Sequence, residues 1–227
     1  MDRWLSCTAR FFESYLRRVS RTVSVRIFVD DGAETRPFSD ESPLDSLSTE
    51  LLSYSTVLLP LWNAHSVLLL SSYLSSSLLA HAAQRFEAVA DDSLGGQFSQ
   101  LLYRRISLPG RQLSIRSAED RLEDLRKIVN GTPPLVMAAD SHGPYREISP
   151  GMARLARSYH GLVRPVSSVC DRAIHVFPRI RIAIPRARSR IVVLFGAPLR
   201  HAESMGVVRA SLSQTLRMLE TQAHALL

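Results

Sequence analysis

Hydrophobic residues near the start of the chain recur at helical spacing. Through residues 1–21 apolar side chains are separated by three or four positions, which predicts an amphipathic helix. The predicted apolar face comprises Trp4, Leu5, Thr8, Phe11, Phe12, Tyr15, Leu16 and Val19. The rest of the helix surface carries Arg3, Arg10, Arg17, Arg18 and Arg21. A basic amphipathic helix either covers a protein core or lies on an anionic membrane, and the pattern fits both.

The pattern changes twice in the next part of the chain. Residues 22–29 alternate and are rich in β-branched side chains, which predicts a strand. Residues 30–48 are polar and contain Pro37 and Pro43, so a long loop is expected there. Nothing in this composition indicates a second domain.

A neutral stretch follows. Residues 51–84 contain no Asp, Glu, Lys or Arg, so only His65 and His81 can carry a charge near neutral pH. Residues 57–59 are predicted to form a strand that Pro60 ends, and residues 66–83 a helix rich in leucine and serine. A membrane span needs about 20 predominantly apolar residues, whereas this helix contains several serines. We therefore expect a buried or interfacial helix.

Strands and helices alternate through the rest of the chain. Predicted strands cover residues 86–90, 113–115, 135–139, 162–169 and 191–195, and predicted helices cover residues 97–105, 118–129, 150–159 and 203–226. Strands separated by helices predict an α/β fold, with a largely parallel central sheet flanked by helices, in one domain over residues 1–227. The less regular residues 171–190 contain several arginines and predict a basic surface at the sheet edge.

Composition narrows the class of protein. With 227 residues, of which 45% are hydrophobic, the chain can bury one sizeable core. The net charge of +7 comes almost entirely from arginine, since Lys127 is the only lysine. Two explanations fit this positive charge equally well. One is a codon usage that favours arginine, and the other is a partner that bears phosphate groups, either anionic lipid or nucleic acid. Nucleic acid is the unlikely partner, because Phe177 is the only aromatic residue among the arginines of residues 171–190.

The cysteines and the first residues bear on the compartment. Cys7 and Cys170 match no metal-ligand spacing, so neither a zinc site nor a disulfide framework is expected. Arg10 interrupts the short apolar run after Met1, unlike in a signal peptide. The expected location is the cytoplasm.

The most informative polar segment is residues 140–151, which follows the predicted strand 135–139. The carboxyl ends of such strands are where α/β proteins place their binding and catalytic residues. Here the segment begins with Asp140 and contains Gly143, Pro144, Arg146 and Gly151. It is the first candidate for a functional loop.

Four short motifs in this part of the chain resemble those of a known family. They are Trp62-Asn63-Ala64-His65, Ile115-Arg116-Ser117, Asp140-Ser141-His142-Gly143-Pro144 with Pro150-Gly151, and Phe195-Gly196-Ala197-Pro198. In order and approximate spacing they resemble the lysophospholipid acyltransferase-like superfamily, in particular its bacterial branch known as a domain of unknown function. Signatures of serine hydrolases, nucleotide-binding proteins and zinc proteases are absent from the sequence.

The resemblance implies a glycerolipid-acyltransferase-like fold and a fatty acyl transfer. The acyl group would come from an acyl thioester, either acyl-CoA or acyl-carrier protein, and go to a lysophospholipid-like or other lipid hydroxyl at the inner face of the cell membrane. It implies that His65 is the catalytic base and that backbone amides near Gly143 bind the oxyanion. The implied substrate- and phosphate-binding residues are Arg116, Ser117, Gly143, Pro144, Arg146 and Gly151. No tightly bound cofactor and no metal is implied.

The chain also departs from the family at positions that matter for catalysis. Related acyltransferases carry an aspartate five residues after the histidine, where this chain has Leu70. Gln97 stands in the place of a glutamate found in the branch. The acid that orients His65 is therefore left open among Asp91, Asp92 and Asp140, and His142 is either a second base or a polar loop residue. A catalytically decayed module that binds lipid or acyl carrier is the alternative function.

Overall fold

The computed structural model describes residues 3–39, 41–51, 57–91, 94–113, 135–140, 145–159, 161–176, 181–199 and 204–227. Its strands are β1 (Ser24–Asp30), β2 (Thr35–Phe38), β3 (Val57–Leu61), β4 (Glu87–Asp91), β5 (Gly110–Leu113), β6 (Leu135–Ala138), β7 (Leu162–Val163), β8 (Val166–Cys170), β9 (Ala173–Val176), β10 (Ile182–Pro185) and β11 (Arg190–Phe195). Its helices are α1 (Arg3–Ser20), α2 (Leu44–Leu51), α3 (Ser66–Ser75), α4 (Ser77–Ala83), α5 (Leu94–Arg105), α6 (Pro150–Ser158) and α7 (Met205–Ala225), with a short 3-10 helix at Asn63–His65. The predicted helix 118–129 lies outside the described residues.

A parallel sheet of five strands, in the order β5-β4-β6-β3-β7, agrees with the predicted α/β class. Strands β3 and β6 are neighbours, and Leu61 is in register with Ala138. Parallel neighbours end at the same edge of a sheet, so the segments that follow β3 and β6 begin side by side. This register brings the 3-10 helix close to Asp140.

A second sheet, in the order β2-β1-β11-β8, corrects the expectation of one largely parallel sheet because it is mixed. Strands β1 and β11 are parallel, whereas β2 and β8 are antiparallel to their neighbours. Antiparallel pairing requires only a short turn, and between β1 and β2 the Asp31 carboxylate accepts the N–H groups of Ala33 and Glu34. Gly32, at φ 93°, supplies the left-handed residue of this turn.

The predicted strand 162–169 is two strands in different sheets. Strand β7 pairs with β3 in the parallel sheet, whereas β8 pairs with β11 in the mixed sheet. The break falls at Arg164 and Pro165, and proline has no N–H with which to continue a ladder. Residues 171–190, expected to be irregular, contain the antiparallel pair β9 and β10.

The loop predicted for residues 30–48 contains regular structure, which corrects that prediction. Strand β2 includes Pro37, and α2 begins directly after Pro43. Proline is tolerated in an edge strand and at the start of a helix, because neither position requires all of the backbone N–H groups. The two prolines therefore marked an edge and a helix start rather than an absence of structure.

Pro60 does not end β3, which continues to Leu61. The Leu58 carbonyl accepts the Arg164 N–H on the β7 side, and the Leu61 carbonyl accepts the Ala139 N–H on the β6 side. Backbone groups alternate in direction along a strand, so the Pro60 nitrogen faces the β7 side. Strand β7 pairs with β3 only at Val57 and Leu58, so the missing donor interrupts no ladder.

The predicted helix 66–83 is divided at Ser76. Helices α3 and α4 are bent by 111° across this residue, whose side chain accepts the Leu79 N–H and so caps α4. Buried Ser71 and Ser72 donate to the carbonyls four residues earlier, which satisfies their hydroxyls inside the core. Among the described residues no single helix has the length and apolar composition to cross a membrane, and only the bent pair meets those two criteria together.

Helix α1 buries only part of the apolar face that the sequence predicts. Leu5, Leu16 and Val19 are buried, but Trp4 is 68% exposed and Phe11 is 76% exposed. Both exposed aromatics belong to the predicted apolar face. The core uses part of that face and leaves two of its largest side chains in solvent.

The last helix, α7, agrees with the helix predicted over residues 203–226 and packs one apolar face against the protein. Val208, Leu212, Leu216, Leu219 and Ala223 are buried. A Cβ added at Gly196 would lie 2.6 Å from Leu219 Cδ1, so glycine permits the close approach of α7 to the end of β11. Glu220 directly follows Leu219 and is buried as well.

Candidate active site

Asp140 connects the ends of β3 and β6. Its Oδ1 accepts the Asn63 N–H at 2.7 Å, and its Oδ2 accepts the Arg146 N–H at 3.2 Å. The residue is buried, and burial raises the pKa of its carboxyl group, although the N–H donors and the positive charge that His65 can carry act in the opposite direction. Asp140 thus links the start of the 3-10 helix to the backbone of Arg146.

His65 ends the 3-10 helix and is only 5% exposed. The Ser168 N–H, on edge strand β8, lies 3.5 Å from His65 Nδ1 and donates to it, and the Ser167 hydroxyl is at the same distance. A nitrogen that accepts a backbone N–H carries no proton, so the neutral ring is protonated at Nε2. His65 Nε2 lies 3.5 Å from Glu220 Oε1, within ion-pair distance of that carboxylate.

Glu220 is the carboxylate in contact with the ring. Burial by itself raises the pKa of Glu220, but the hydrogen bond and charge of His65, with those of Arg146, outweigh this effect and hold the pKa below its ordinary value. Arg146 Nη2 hydrogen-bonds to the same oxygen, Oε1, that faces the imidazole. A buried, ionised acid therefore joins a histidine to an arginine.

Arg146 reaches this acid from a strained backbone position, at φ 61°. Its guanidinium lies 4.8 Å from the centre of the Tyr145 ring, and the Arg181 guanidinium lies 5.5 Å from the same centre. The Arg146 side chain is 36% exposed, so it connects solvent with buried Glu220. Two guanidinium groups therefore lie beside the Tyr145 ring, and that of Arg146 also binds the acid that contacts His65.

The structure places the other predicted site residues as follows. Gly151 lies in the first turn of α6, which the Ser149 side chain caps. Asp91 ends β4, and Gln97 is exposed on α5. Leu70 is buried in the cluster that includes Leu16 and Leu102. Asp92, Arg116, Ser117, His142, Gly143 and Pro144 lie outside the described residues.

Sequence reasoning did not select Glu220, although its position carried a signal. It occurs four residues after Leu216 and one after Leu219, on the core-facing side of a regular amphipathic helix. A glutamate at such a position must be paired, because burying an isolated carboxylate is strongly unfavourable. The glutamate on the apolar face of this helix was therefore a signal, present in the sequence, that a positively charged or hydrogen-bonding partner lies buried beside it.

This arrangement can perform general base chemistry. A neutral histidine accepts a proton from a hydroxyl, and a carboxylate on its other nitrogen stabilises the imidazolium that forms. The nitrogen that is free to accept a proton is Nδ1. Its contacts with Ser167 and Ser168 are at 3.5 Å, the long limit of hydrogen bonding, so a substrate hydroxyl can replace them. Among the described residues no cluster of His, Cys, Asp and Glu is arranged to hold a metal ion.

No protein-family model matches the chain, and no curated protein matches it significantly. Among solved structures, the crystal structure of the 1-acyl-sn-glycerophosphate acyltransferase from Thermotoga maritima is similar, with a TM-score of 0.45 and 15% sequence identity. The similarity covers 94% of this chain and 80% of that one.

Proposed function

We propose that the protein is an O-acyltransferase that moves a fatty acyl group from an acyl thioester to a hydroxyl of a lysophospholipid-like lipid. The observation that carries the proposal is the placement of His65 just after strand β3, with its Nε2 3.5 Å from ionised Glu220. The donor is acyl-CoA or an acyl-carrier protein. The motif order of the sequence supports this reaction over other uses of a histidine–carboxylate pair.

The reaction follows from the chemistry of the pair. The acceptor hydroxyl displaces a long contact of the imidazole and gives its proton to His65, and its oxygen forms a bond to the thioester carbonyl carbon. The carbon–sulfur bond then breaks, and the imidazolium returns the proton to the departing thiolate. Glu220 stabilises the imidazolium between these steps. The amides near Gly143 are the proposed donors to the oxyanion, a role that rests on the resemblance.

Arginine side chains are the proposed binders of the substrate phosphate. Arg146 is partly exposed and binds Glu220, the acid that contacts His65, and Arg181 adds a second guanidinium at the Tyr145 ring. Guanidinium groups bind phosphate through paired hydrogen bonds, which suits a lysophospholipid headgroup or the phosphates of a carrier. Arg116 is proposed for the same role on the motif alone.

Helix α1 supports a proposed location on the cytoplasmic face of a membrane. Trp4, Cys7 and Phe11 are exposed and lie three to four residues apart, which aligns them along one side of the helix. Arg10 and Arg18 are exposed on the same helix. An exposed apolar stripe flanked by arginines fits an anionic lipid surface, in which the aromatics insert and the arginines contact headgroups.

A direct assay tests the proposed reaction. Purified protein is incubated with acyl-CoA or acyl-carrier protein and a panel of lysophospholipids, and the products are measured by mass spectrometry. We expect an acylated lipid whose formation requires both substrates. A deoxy acceptor that lacks the free hydroxyl should give none. Thioester hydrolysis without any transfer to lipid, or no product with either donor, contradicts the proposal.

Vesicle flotation tests the membrane surface. We expect binding to vesicles that contain anionic lipid, weakened by salt, and a loss of about tenfold or more in affinity when Trp4 and Phe11 are both replaced by serine. Replacement of Val207 and Met218 by serine is the matched control, because these residues are also apolar and exposed but lie on α7. Equal binding by the two double variants would contradict a role for α1.

A second candidate function is a lipid- or carrier-binding module without catalysis. The contacts of protein groups to both ring nitrogens of His65 favour it, as does Leu70 in the place of the family's acid. The two experiments separate the candidates. Vesicle binding by a well-folded protein that yields no acylated lipid with any donor identifies the module.

A further inference from the structure

The histidine of the proposed acyltransferase needs an acid that orients it, and among the described residues neither position 70 nor Asp140 supplies one. Leu70 packs with Leu16 and Leu102 between α3, α1 and α5. Each carboxylate oxygen of Asp140 accepts a backbone N–H, from Asn63 and from Arg146. Asp140 therefore fixes the backbone on either side of the ring rather than the ring itself.

We infer that Glu220, on the last helix, is the positioning residue that orients His65, an inference that rests on the proposed function. Among the described residues, Glu220 is the carboxylate in contact with the imidazole, 3.5 Å from Nε2. The Ser168 N–H occupies Nδ1 on the opposite side of the ring. A donor on one nitrogen and an acceptor on the other define both the tautomer and the ring orientation.

Helix α7 holds Glu220 rigidly enough for this role. Leu216, Leu219 and Ala223 around it are buried, and the absence of a side chain at Gly196 lets Leu219 seat against the end of β11. A residue on a packed helix is placed more accurately than one on a loop. Phe195-Gly196, noted in the sequence as a family motif, thus acquires a physical role in placing the acid.

Arg146 sets the charge of the pair. The charged groups that act on His65 from the surrounding elements are Glu220 on α7 and Asp140, which follows β6, and Arg146 binds Glu220. Because Arg146 binds the Glu220 oxygen that faces the ring, it favours the ionised acid inside the protein. The acid therefore stays deprotonated and can accept a hydrogen bond from the His65 Nε2–H group.

Steady-state kinetics of the full-length protein test the inference. We expect Glu220→Gln to lower kcat by about 10²- to 10⁴-fold with KM for either substrate within about twofold, since the acid touches no substrate. Glu220→Asp keeps the negative charge, so its kcat should be at least about tenfold higher than that of Glu220→Gln. Glu147→Gln is the matched control, because Glu147 is an exposed acid that pairs with Arg209. Circular dichroism and thermal unfolding check that each variant is folded.

Nuclear magnetic resonance gives a readout that does not depend on turnover. In ¹⁵N-labelled protein we expect the His65 ring proton on Nε2, and an upfield shift of that proton in Glu220→Gln, because a hydrogen bond to an ionised acceptor is stronger than one to an amide. Glu147→Gln should leave it unchanged. Loss of kcat together with this shift supports the inference.

The outcomes separate the inference from the proposed function. A wild-type protein without transferase activity refutes the proposed function, and the His65 resonance then decides whether Glu220 positions the ring. A folded Glu220→Gln variant with kcat within about twofold of wild type overturns the inference, as does an unshifted ring proton. So does an equal loss of kcat in Glu147→Gln.

Discussion

Replacement of His65 by alanine is expected to lower kcat for acyl transfer by about 10²- to 10⁴-fold. The ring is the group that accepts the hydroxyl proton, and the neighbouring serines cannot replace it near neutral pH because a hydroxyl is a much weaker base than imidazole. The kcat values should be measured at a pH above the ordinary pKa of glutamate. Glu220, whose pKa is lowered, is then fully ionised in the wild-type protein. Product formation is followed with saturating thioester and lipid.

The control for this variant is His81→Ala. His81 also pairs with a carboxylate, Asp45, at 2.9 Å, but its side chain is 37% exposed on α4. The same substitution at a histidine–carboxylate pair outside the proposed site should leave kcat within about twofold of wild type. His65→Gln separates packing from proton transfer, because glutamine retains polar atoms but cannot accept the proton. Substantial turnover by a folded His65→Gln would contradict the role of the base.

Much of the secondary structure could be predicted from local pattern. The 3.6-residue periodicity predicted helices α1 and α7, although α1 buries only part of its predicted apolar face. Short apolar or β-branched runs predicted most of the described strands. The partition of residues 162–169 between two sheets could not be predicted, because a run of apolar residues does not specify which neighbour it pairs with. The mixed character of the β2-β1-β11-β8 sheet has the same cause.

The part of the candidate site that follows the ends of strands could be predicted from the sequence. The part that depends on contacts between distant segments of the chain could not. Asp140 was selected because it follows a predicted buried strand, and His65 because its motif resembles that of a known family. The two residues come together because β3 and β6 are neighbours. Glu220 comes from the far end of the chain, and its contact with the ring exists only because α7 packs beside β8 and β11. A periodicity analysis places it on the buried face of a helix but does not identify its partner.

The residue expected to matter most for stability is Trp62, which precedes the 3-10 helix. Its side chain is fully buried in the cluster that includes Met152, Tyr159 and Leu212. We expect Trp62→Ala to lower the free energy of unfolding by about 3–5 kcal/mol through lost burial and the cavity that remains. For a protein whose total stability is of the order of 5–15 kcal/mol, this is a large fraction. Urea unfolding followed by circular dichroism measures it.

Two further variants show whether the loss comes from burial. Trp4→Ala removes the same side chain from a site that is 68% exposed, so its unfolding free energy should stay within about 0.5 kcal/mol of wild type. Trp62→Phe should cost less than about 1.5 kcal/mol, because it keeps most of the ring and removes a buried indole N–H that has no hydrogen-bond partner among the described residues. A loss below about 1 kcal/mol in Trp62→Ala would contradict its role as an anchor.

Trp62 also connects stability to the site. It precedes Asn63, whose N–H Asp140 accepts, and its carbonyl accepts the His65 N–H at 2.9 Å. A cavity under this turn would allow His65 to shift relative to Glu220, and a shift of about 1 Å can lower a rate by about 10²-fold. At temperatures where Trp62→Ala is still folded, we therefore expect a reduced kcat, whereas Trp62→Phe keeps both the turn and the rate.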